Sequence, residues 1–199
     1  MKLNHVHEAA VAVFADGMPI AVIGKLKRHH IQKSSGPDIM RSVLDRSAKN
    51  KLKHYFYGGK AGVADRLKSR LEADNPDLQV VGTYTPPFRD LTETERQAVH
   101  DDIRKSGADV VWVGISSPRQ DVWMYDNCPE LSQTCLGVGA AFDFLSGTVS
   151  RAPEWMQKSG LEWAYRLRQD PKRLWRRYVI LAPMFLWRVA WAHLMPRRK

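Results

Sequence analysis

The chain predicts an α/β fold, with a mainly parallel, Rossmann-like sheet flanked by helices on both faces. Three observations carry this expectation: strand-like and helix-like segments alternate from residue 54 to 144, two of the later strand-like segments are continuous apolar runs, and glycines gather where the runs end. At 199 residues the chain can bury one such core and carry a small appendage.

Taken in order, "HYFYGG" (54–59) is a β-rich run ending in two glycines, and "AGVADRLKSRLEAD" (61–74) places Val63, Leu67 and Leu71 at helical spacing. "LQVVGTY" (78–84) predicts a second strand. "TETERQAVHDDIRKSG" (92–107) predicts a helix, opened by a capping box at Thr92 and Glu95. "DVVWVGIS" (109–116) and "QTCLGVGAAFDF" (133–144) read as further strands, apolar enough to be covered on both faces. Upstream, "FADGMP" (14–19) places Asp16 in a turn, and "GPD" (36–38) is a turn whose Asp38 is expected to cap the helix "IMRSVLDRSAKN". Beyond Gly147, Pro153, Pro171 and Pro183 each fall just inside the start of a helix-like segment, the first spanning roughly 153–168. The expected division is an α/β domain over 1–169 and a basic, Trp-rich helical appendage over 170–199.

Charge separates the two ends. The net charge is +10, and from Arg151 onward twelve Lys or Arg stand against three acids, a net of +9 that leaves +1 for residues 1–150. A tail so basic calls for a polyanionic partner. Its cations are interleaved with Leu, Val and Trp rather than set on a polar face, which favours an anionic membrane surface over nucleic acid. Trp175, Arg177, Phe185, Trp187, Arg188 and Trp191 are the candidate membrane residues. "YVILAPMFLWRVAWAHLM" is interrupted by Pro183, Arg188 and His193, so no transmembrane span is expected. The apolar run Ala9–Ala15 is barely long enough for a signal peptide and ends at Asp16 without a cleavage site. Cys128 and Cys135 form no CxxC or Cys/His pattern, and His5-x-His7 and His29-His30 lack partners at metal spacing. The expectation is a reduced, cytoplasmic setting with no metal and no cofactor.

In wound parallel sheets, ligands sit beyond the carboxyl ends of the strands. There the sequence puts Gly58 and Gly59, Gly114, and Gly137 and Gly139, with Gln120 and Asp143 close by. Backbone N–H groups at such turns approach a diphosphate closely, although a tight strand-to-helix turn needs glycine for its own sake. No GxxxxGK[ST] occurs and no GxGxxG follows a strand, so P-loop hydrolysis and dinucleotide redox chemistry are set aside. Asp16 is either a turn aspartate or a general base. In the tail, Arg173, Arg176 and Arg177 share a helical face, joined by Arg166 if the axis continues through Pro171. Guanidinium forks there suit diphosphate oxygens.

The segments "ADGMPI", "GPDIM", "YFYGGKAGVADRL", "VVGTYTPPF", "VVWVGISSPRQDVWM", "GVGAAFDFLSGTVSRAPEWMQKSGLEW" and "YRLRQDPKRLWRRY" follow one another over nearly the whole chain. In them the sequence resembles the WecG/TagA/CpsF glycosyltransferases, family 26. The resemblance implies an inverting, metal-independent transferase, of hexosyl or N-acetylhexosaminyl type, working in exopolysaccharide or cell-wall polymer synthesis. It would move a sugar from a UDP-sugar donor to a polyprenyl-diphosphate-linked saccharide. It also implies a peripheral seat on the inner face of the plasma membrane, and leaves an oligomer open. Asp16 then matches the catalytic base, and Gln120 an active-site element in which Arg119 and Asp121 replace the usual Lys and Glu. Arg166, Arg173 and Arg176 match appendage arginines that meet the diphosphate, while the glycine turns and Asp143 frame the donor. Family members usually carry several dozen residues before the Asp-Gly motif, including a Thr-Pro-Asn turn, whereas here Asp16 comes almost at once. The alternative expectation is therefore a catalytically impaired, membrane-associated family member that still binds the sugar nucleotide.

Overall fold

The structure, a computed structural model, describes residues 2–16, 20–21, 23–24 and 34–194. Two compact units divide the chain, Met1–Asp16 with Lys33–Ser150 and Gly17–Gln32 with Arg151–Lys199.

The first unit is an α/β body. Its helices are α1 (Lys2–Ala9), α2 (Gly36–Asn50), α3 (Val63–Asp74), α4 (Glu93–Ser106), α5 (Arg119–Asn127) and α6 (Ala141–Leu145). Its strands are β1 (Lys53–Gly58), β2 (Gln79–Tyr84), β3 (Val110–Gly114) and β4 (Thr134–Gly137). They form one parallel sheet in the order β2-β1-β3-β4, with Phe56 opposite Trp112 and Thr83, and Trp112 opposite Leu136.

Side chains alternate across the pleat, so β1 feeds two cores. Phe56 joins Trp112, Met40 and Leu44 of α2, Leu67 of α3 and Phe142 of α6 on one face. Tyr55 and Tyr57 join Val111, Val113, and Val99 and Ile103 of α4 on the other. Both faces are covered, which is why β1 and β3 are buried almost from end to end. His54, fully buried on the Phe56 face, accepts a hydrogen bond from Trp112 Nε1 at 3.0 Å on Nδ1. Burial pushes its pKa down from 6.5 to about 4, partly offset by Asp109. The capping box of α4 forms as expected: Thr92 Oγ1 accepts from the Glu95 N–H, and the Glu95 carboxylate accepts from the Thr92 N–H at 2.9 Å.

Three local expectations are corrected. "QTCLGVGAAFDF" is not one buried strand. Only Thr134–Gly137 is extended, as a short edge strand exposed at both ends, and after Gly139 turns the chain (φ 57) residues 141–145 are helical. Edge position explains the short length, since β4 pairs with β3 alone. Asp38 does not cap α2. The N-cap is Ser35, and Asp38 lies in the first turn, where it accepts a hydrogen bond from Ser35 Oγ. Residues 153–168 are not one helix, because Gly160, with φ 78, breaks them into α7 (Glu154–Lys158) and α8 (Glu162–Gln169).

The second unit continues with α9 (Pro171–Trp175), a π-helical stretch Arg176–Leu181, and α10 (Ala182–Leu194). Pro171 opens α9, where a missing N–H costs nothing, whereas Pro183 does not open a separate helix: α10 runs on directly from the π-helical stretch, and Pro183 lies inside the continuous run. Trp163 and Tyr178 bring their ring centroids to 5.9 Å. On one straight helix they would stand roughly 22 Å apart, so the axis does not continue through Asp170 and Pro171. Arg166 is therefore not aligned with Arg173 along a common helical face. Among the described residues no helix is long and apolar enough to cross a membrane.

Candidate active site

The carboxyl ends of β1, β3 and β4 lie side by side, because Gly58 pairs with Gly114, and Val113 with Gly137. Gly59 N–H donates to Gly114 O at 3.1 Å, closing the edge between the first two turns. A side chain at Gly58 is excluded twice: φ is 133°, and a Cβ there would lie 2.6 Å from the Gly114 carbonyl carbon. The third turn is held from α5. Gln120, only 7% exposed, accepts from Gly139 N–H on Oε1 at 2.9 Å and donates from Nε2 to Ser117 Oγ at 3.3 Å. Ser117 Oγ donates to Asp121 at 2.7 Å, and Gln120 N–H donates to Ser116 O at 3.0 Å. The Gln120 carboxamide is thus engaged on both sides, tying the start of α5 to the glycine turn after β4.

Sequence reasoning missed that α2 reaches the same edge. A Cβ on Gly36 would stand 2.3 Å from Val138 O, so only glycine lets the first residue of α2 abut the turn after β4. The N-termini of α2, α3 and α5 thus converge beside the carboxyl edge, none with a side-chain cap hydrogen bond and each with the positive end of its dipole there. The signal was present as the glycine of "GPD", which reads equally well as a turn. Thr85, also unmarked by the sequence, donates from Oγ1 to Gly58 O at 3.3 Å and fastens the chain after β2 to the same corner. Behind it Tyr57 is stacked between Tyr84 (5.6 Å) and Trp123 (4.2 Å), and burial pushes the Tyr57 hydroxyl pKa upward.

The structure brings Gly58, Gly59, Gly114, Gln120, Gly137 and Gly139 together at this edge. Asp143 lies half-buried in α6, two residues after the glycine turn's helix begins, and its carbonyl accepts from Ser146 Oγ and Val149 N–H. Asp16 is exposed; its N–H donates to Phe14 O, and the preceding carbonyl, Ala15 O, accepts from Ser34 N–H at 3.0 Å. That bond places Asp16 beside the Ser34–Gly36 segment, whose Gly36 abuts Val138. The tail residues fall in the other unit: half-buried Arg166 in the last turn of α8, Arg173 in α9, and exposed Arg176 at the start of the π-helical stretch. The side chains of Arg173 and Arg177 lie outside the described residues. Trp175, Phe185, Trp187, Arg188 and Trp191 are exposed, with Trp187 and Trp191 in contact at 5.4 Å along α10. An indentation of about 260 Å³, lined by Arg41, Leu44, Leu71, Asp74 and Leu78, lies by the amino end of β2, away from the glycine edge. Among the described residues no group of three or more His, Cys, Asp or Glu is placed to hold a metal ion.

A parallel sheet covered on both faces, with glycine turns and helix N-termini at one edge, defines a Rossmann-like α/β protein. The model of the Glycosyl transferase WecG/TagA/CpsF family matches residues 1–199, and the chain belongs to that family of glycosyltransferases.

Proposed function

We propose that the protein transfers a sugar from a UDP-sugar to a saccharide carried on a polyprenyl diphosphate, in the synthesis of an exopolysaccharide or cell-wall polymer. The observation that carries this is the glycine-lined carboxyl edge, where Gly58, Gly59, Gly114, Gly137 and Gly139 present backbone without side chains and the N-termini of α2, α3 and α5 adjoin, so that a diphosphate can approach the backbone closely. Asp143 and the same glycines frame the donor. In the proposed step the Asp16 carboxylate accepts the proton of the acceptor hydroxyl as its oxygen bonds to the anomeric carbon. The bond from that carbon to the diphosphate oxygen breaks with inversion, and UDP leaves with the electron pair. Charge grows on the departing diphosphate, where helix N-termini stabilise it most; Arg166, Arg173 and Arg176 are the guanidinium groups that the family resemblance assigns to the diphosphate. Gln120 serves here as a positioning residue, since its carboxamide already holds Gly139 and Ser117. The hexosyl or N-acetylhexosaminyl type of the sugar belongs to the same reading.

The second unit supplies the surface for a peripheral seat on the inner face of the plasma membrane. Trp175, Phe185, Trp187 and Trp191 are exposed apolar side chains with Arg176 and Arg188 among them. Burial of one such side chain is worth about 1.5–3 kcal/mol, so a few inserted residues hold a protein reversibly. A second reading, sugar-nucleotide binding without turnover, is favoured by one observation: Val11, Val13 and Phe14, directly ahead of Asp16, are exposed rather than packed.

One experiment separates the two. The protein is mixed with membranes carrying polyprenyl-diphosphate saccharide and a panel of UDP-sugars, beside Asp16→Asn. UDP release well above that control supports transfer. UDP binding with no release above the control supports the second reading, and absence of both overturns the two together.

A further inference from the structure

The loop that follows β2, Thr85–Asp90, is built to hold one aromatic ring in the open. Pro86 and Pro87 restrict φ at two successive positions. Thr85 Oγ1 fastens the near end to Gly58 O. At the far end Arg89 grips Glu95 with two hydrogen bonds, of 2.7 and 2.6 Å, and Glu95 also closes the capping box of α4. Those bonds from Arg89, then the one from the Thr92 N–H, hold the Glu95 carboxyl down to about 2, so the grip persists across any working pH. Between the anchors Phe88 is 89% exposed. Burying a Phe is worth about 1.5–3 kcal/mol, and here the chain forgoes that gain on a braced loop beside the glycine edge.

We propose that Phe88 is a substrate-stacking residue, whose ring face receives the C–H face of a pyranose sugar during transfer. This rests on the transferase reading above. The chemistry follows from what the loop offers: an aromatic face carrying negative quadrupole charge meets the slightly positive C–H groups of a sugar ring. Its one cation, Arg89, is spent on Glu95, so the loop is poorly suited to a phosphate. A lipid surface fits less well, because a single ring on a loop whose one cation is bound to Glu95 is a weak interfacial anchor. Strand order puts the start of this loop at the corner where β1 and β2 end, with Thr85 bonded to Gly58 O and Phe88 three residues further on. A pyranose is present in both the donor and the acceptor, and the test tells them apart.

Steady-state transfer is measured for the native chain, Phe88→Ala and Phe88→Trp, varying the UDP-sugar and the lipid-linked saccharide in turn. Phe88→Ala is expected to raise one of the two KM values about tenfold, near the upper range of one aromatic contact, with kcat within about twofold. Phe88→Trp restores most of it, and the melting temperature stays unchanged because the ring is exposed. A raised donor KM assigns the ring to the donor sugar, and a raised acceptor KM to the acceptor. Unchanged KM values for both overturn the proposal, as does loss of sedimentation with acceptor-free anionic vesicles, which makes Phe88 a lipid contact. If the native chain binds UDP without turnover, saturation-transfer NMR with UDP-N-acetylglucosamine and a soluble N-acetylglucosamine oligosaccharide reads the same contact. Loss of ring-proton saturation in Phe88→Ala, with uracil protons unaffected, supports the proposal, and unchanged ring protons in both ligands overturn it. A native chain that neither binds UDP nor releases it refutes the transferase reading itself, a result distinct from failure at Phe88 alone.

Discussion

Replacing Gln120 by Ala probes the joint between α5 and the glycine turn after β4. The substitution removes the bond from Gly139 N–H and the bond to Ser117 Oγ, in a side chain that is 7% exposed. Each bond contributes about 1 kcal/mol net. Loss of one buried methylene adds about 0.8 kcal/mol. The sum is roughly 2–3 kcal/mol, and with a urea slope of about 2 kcal/mol per molar the unfolding midpoint falls by about 1 M. Because Gly139 N–H loses its tether, UDP affinity falls in the same variant even though Gln120 is not assigned to the reacting atoms. Urea titration followed by tryptophan fluorescence reads the first effect, and calorimetric UDP titration the second. An unchanged midpoint, with transfer nonetheless abolished, would refute the positioning role and make Gln120 a residue that touches substrate.

Three further outcomes follow from the same geometry. Gly58→Ala forces a Cβ to within 2.6 Å of the Gly114 backbone at φ 133°, so a loss of about 2–5 kcal/mol in urea unfolding is expected, from strain and overpacking together. His54 is held near 4 when folded and titrates at 6.5 when free, so the unfolded chain takes up a proton that the folded chain refuses as pH falls from 6.5 toward 4. Stability therefore declines over that window, and a His54→Phe variant has a slope shallower by up to about 1.4 kcal/mol per pH unit, read from urea midpoints. Trp187→Ala combined with Trp191→Ala is expected to weaken sedimentation with anionic vesicles by tenfold or more, roughly 1.4 kcal/mol, while leaving UDP affinity unchanged.

What could be read in advance was whatever rests on short-range pattern. The run at 54–59 points to a strand because it is β-rich and ends in two glycines, and the run at 109–116 points to a doubly covered strand because it is continuously apolar. Thr92 and Glu95 announce the start of α4 because a capping box is complete within four residues. The end of β4 is not legible for the complementary reason: "GVGAAF" is as apolar as a strand, and only the left-handed turn at Gly139 separates it from a helix. The run 153–168 reads as one helix because a single glycine in sequence does not announce the left-handed φ of 78° that Gly160 adopts. At the candidate site, glycines at strand ends were visible, but their neighbours were not. Gly36 against Val138, Gln120 against Gly139 and Thr85 against Gly58 are contacts across 102, 19 and 27 residues, which no local pattern encodes. Phe88 carries no signal of its exposure in the sequence, because most Phe side chains are buried.

The central claim, that the glycine-lined carboxyl edge receives the donor diphosphate, is tested most directly by hydrogen–deuterium exchange of the native protein with and without UDP. Protection on adding UDP is predicted within residues 58–62, 114–120 and 137–141, the three turns that form that edge. Protection confined to the segments around Arg41, Leu71 and Asp74, or absent from all three glycine turns while UDP is bound, would contradict it.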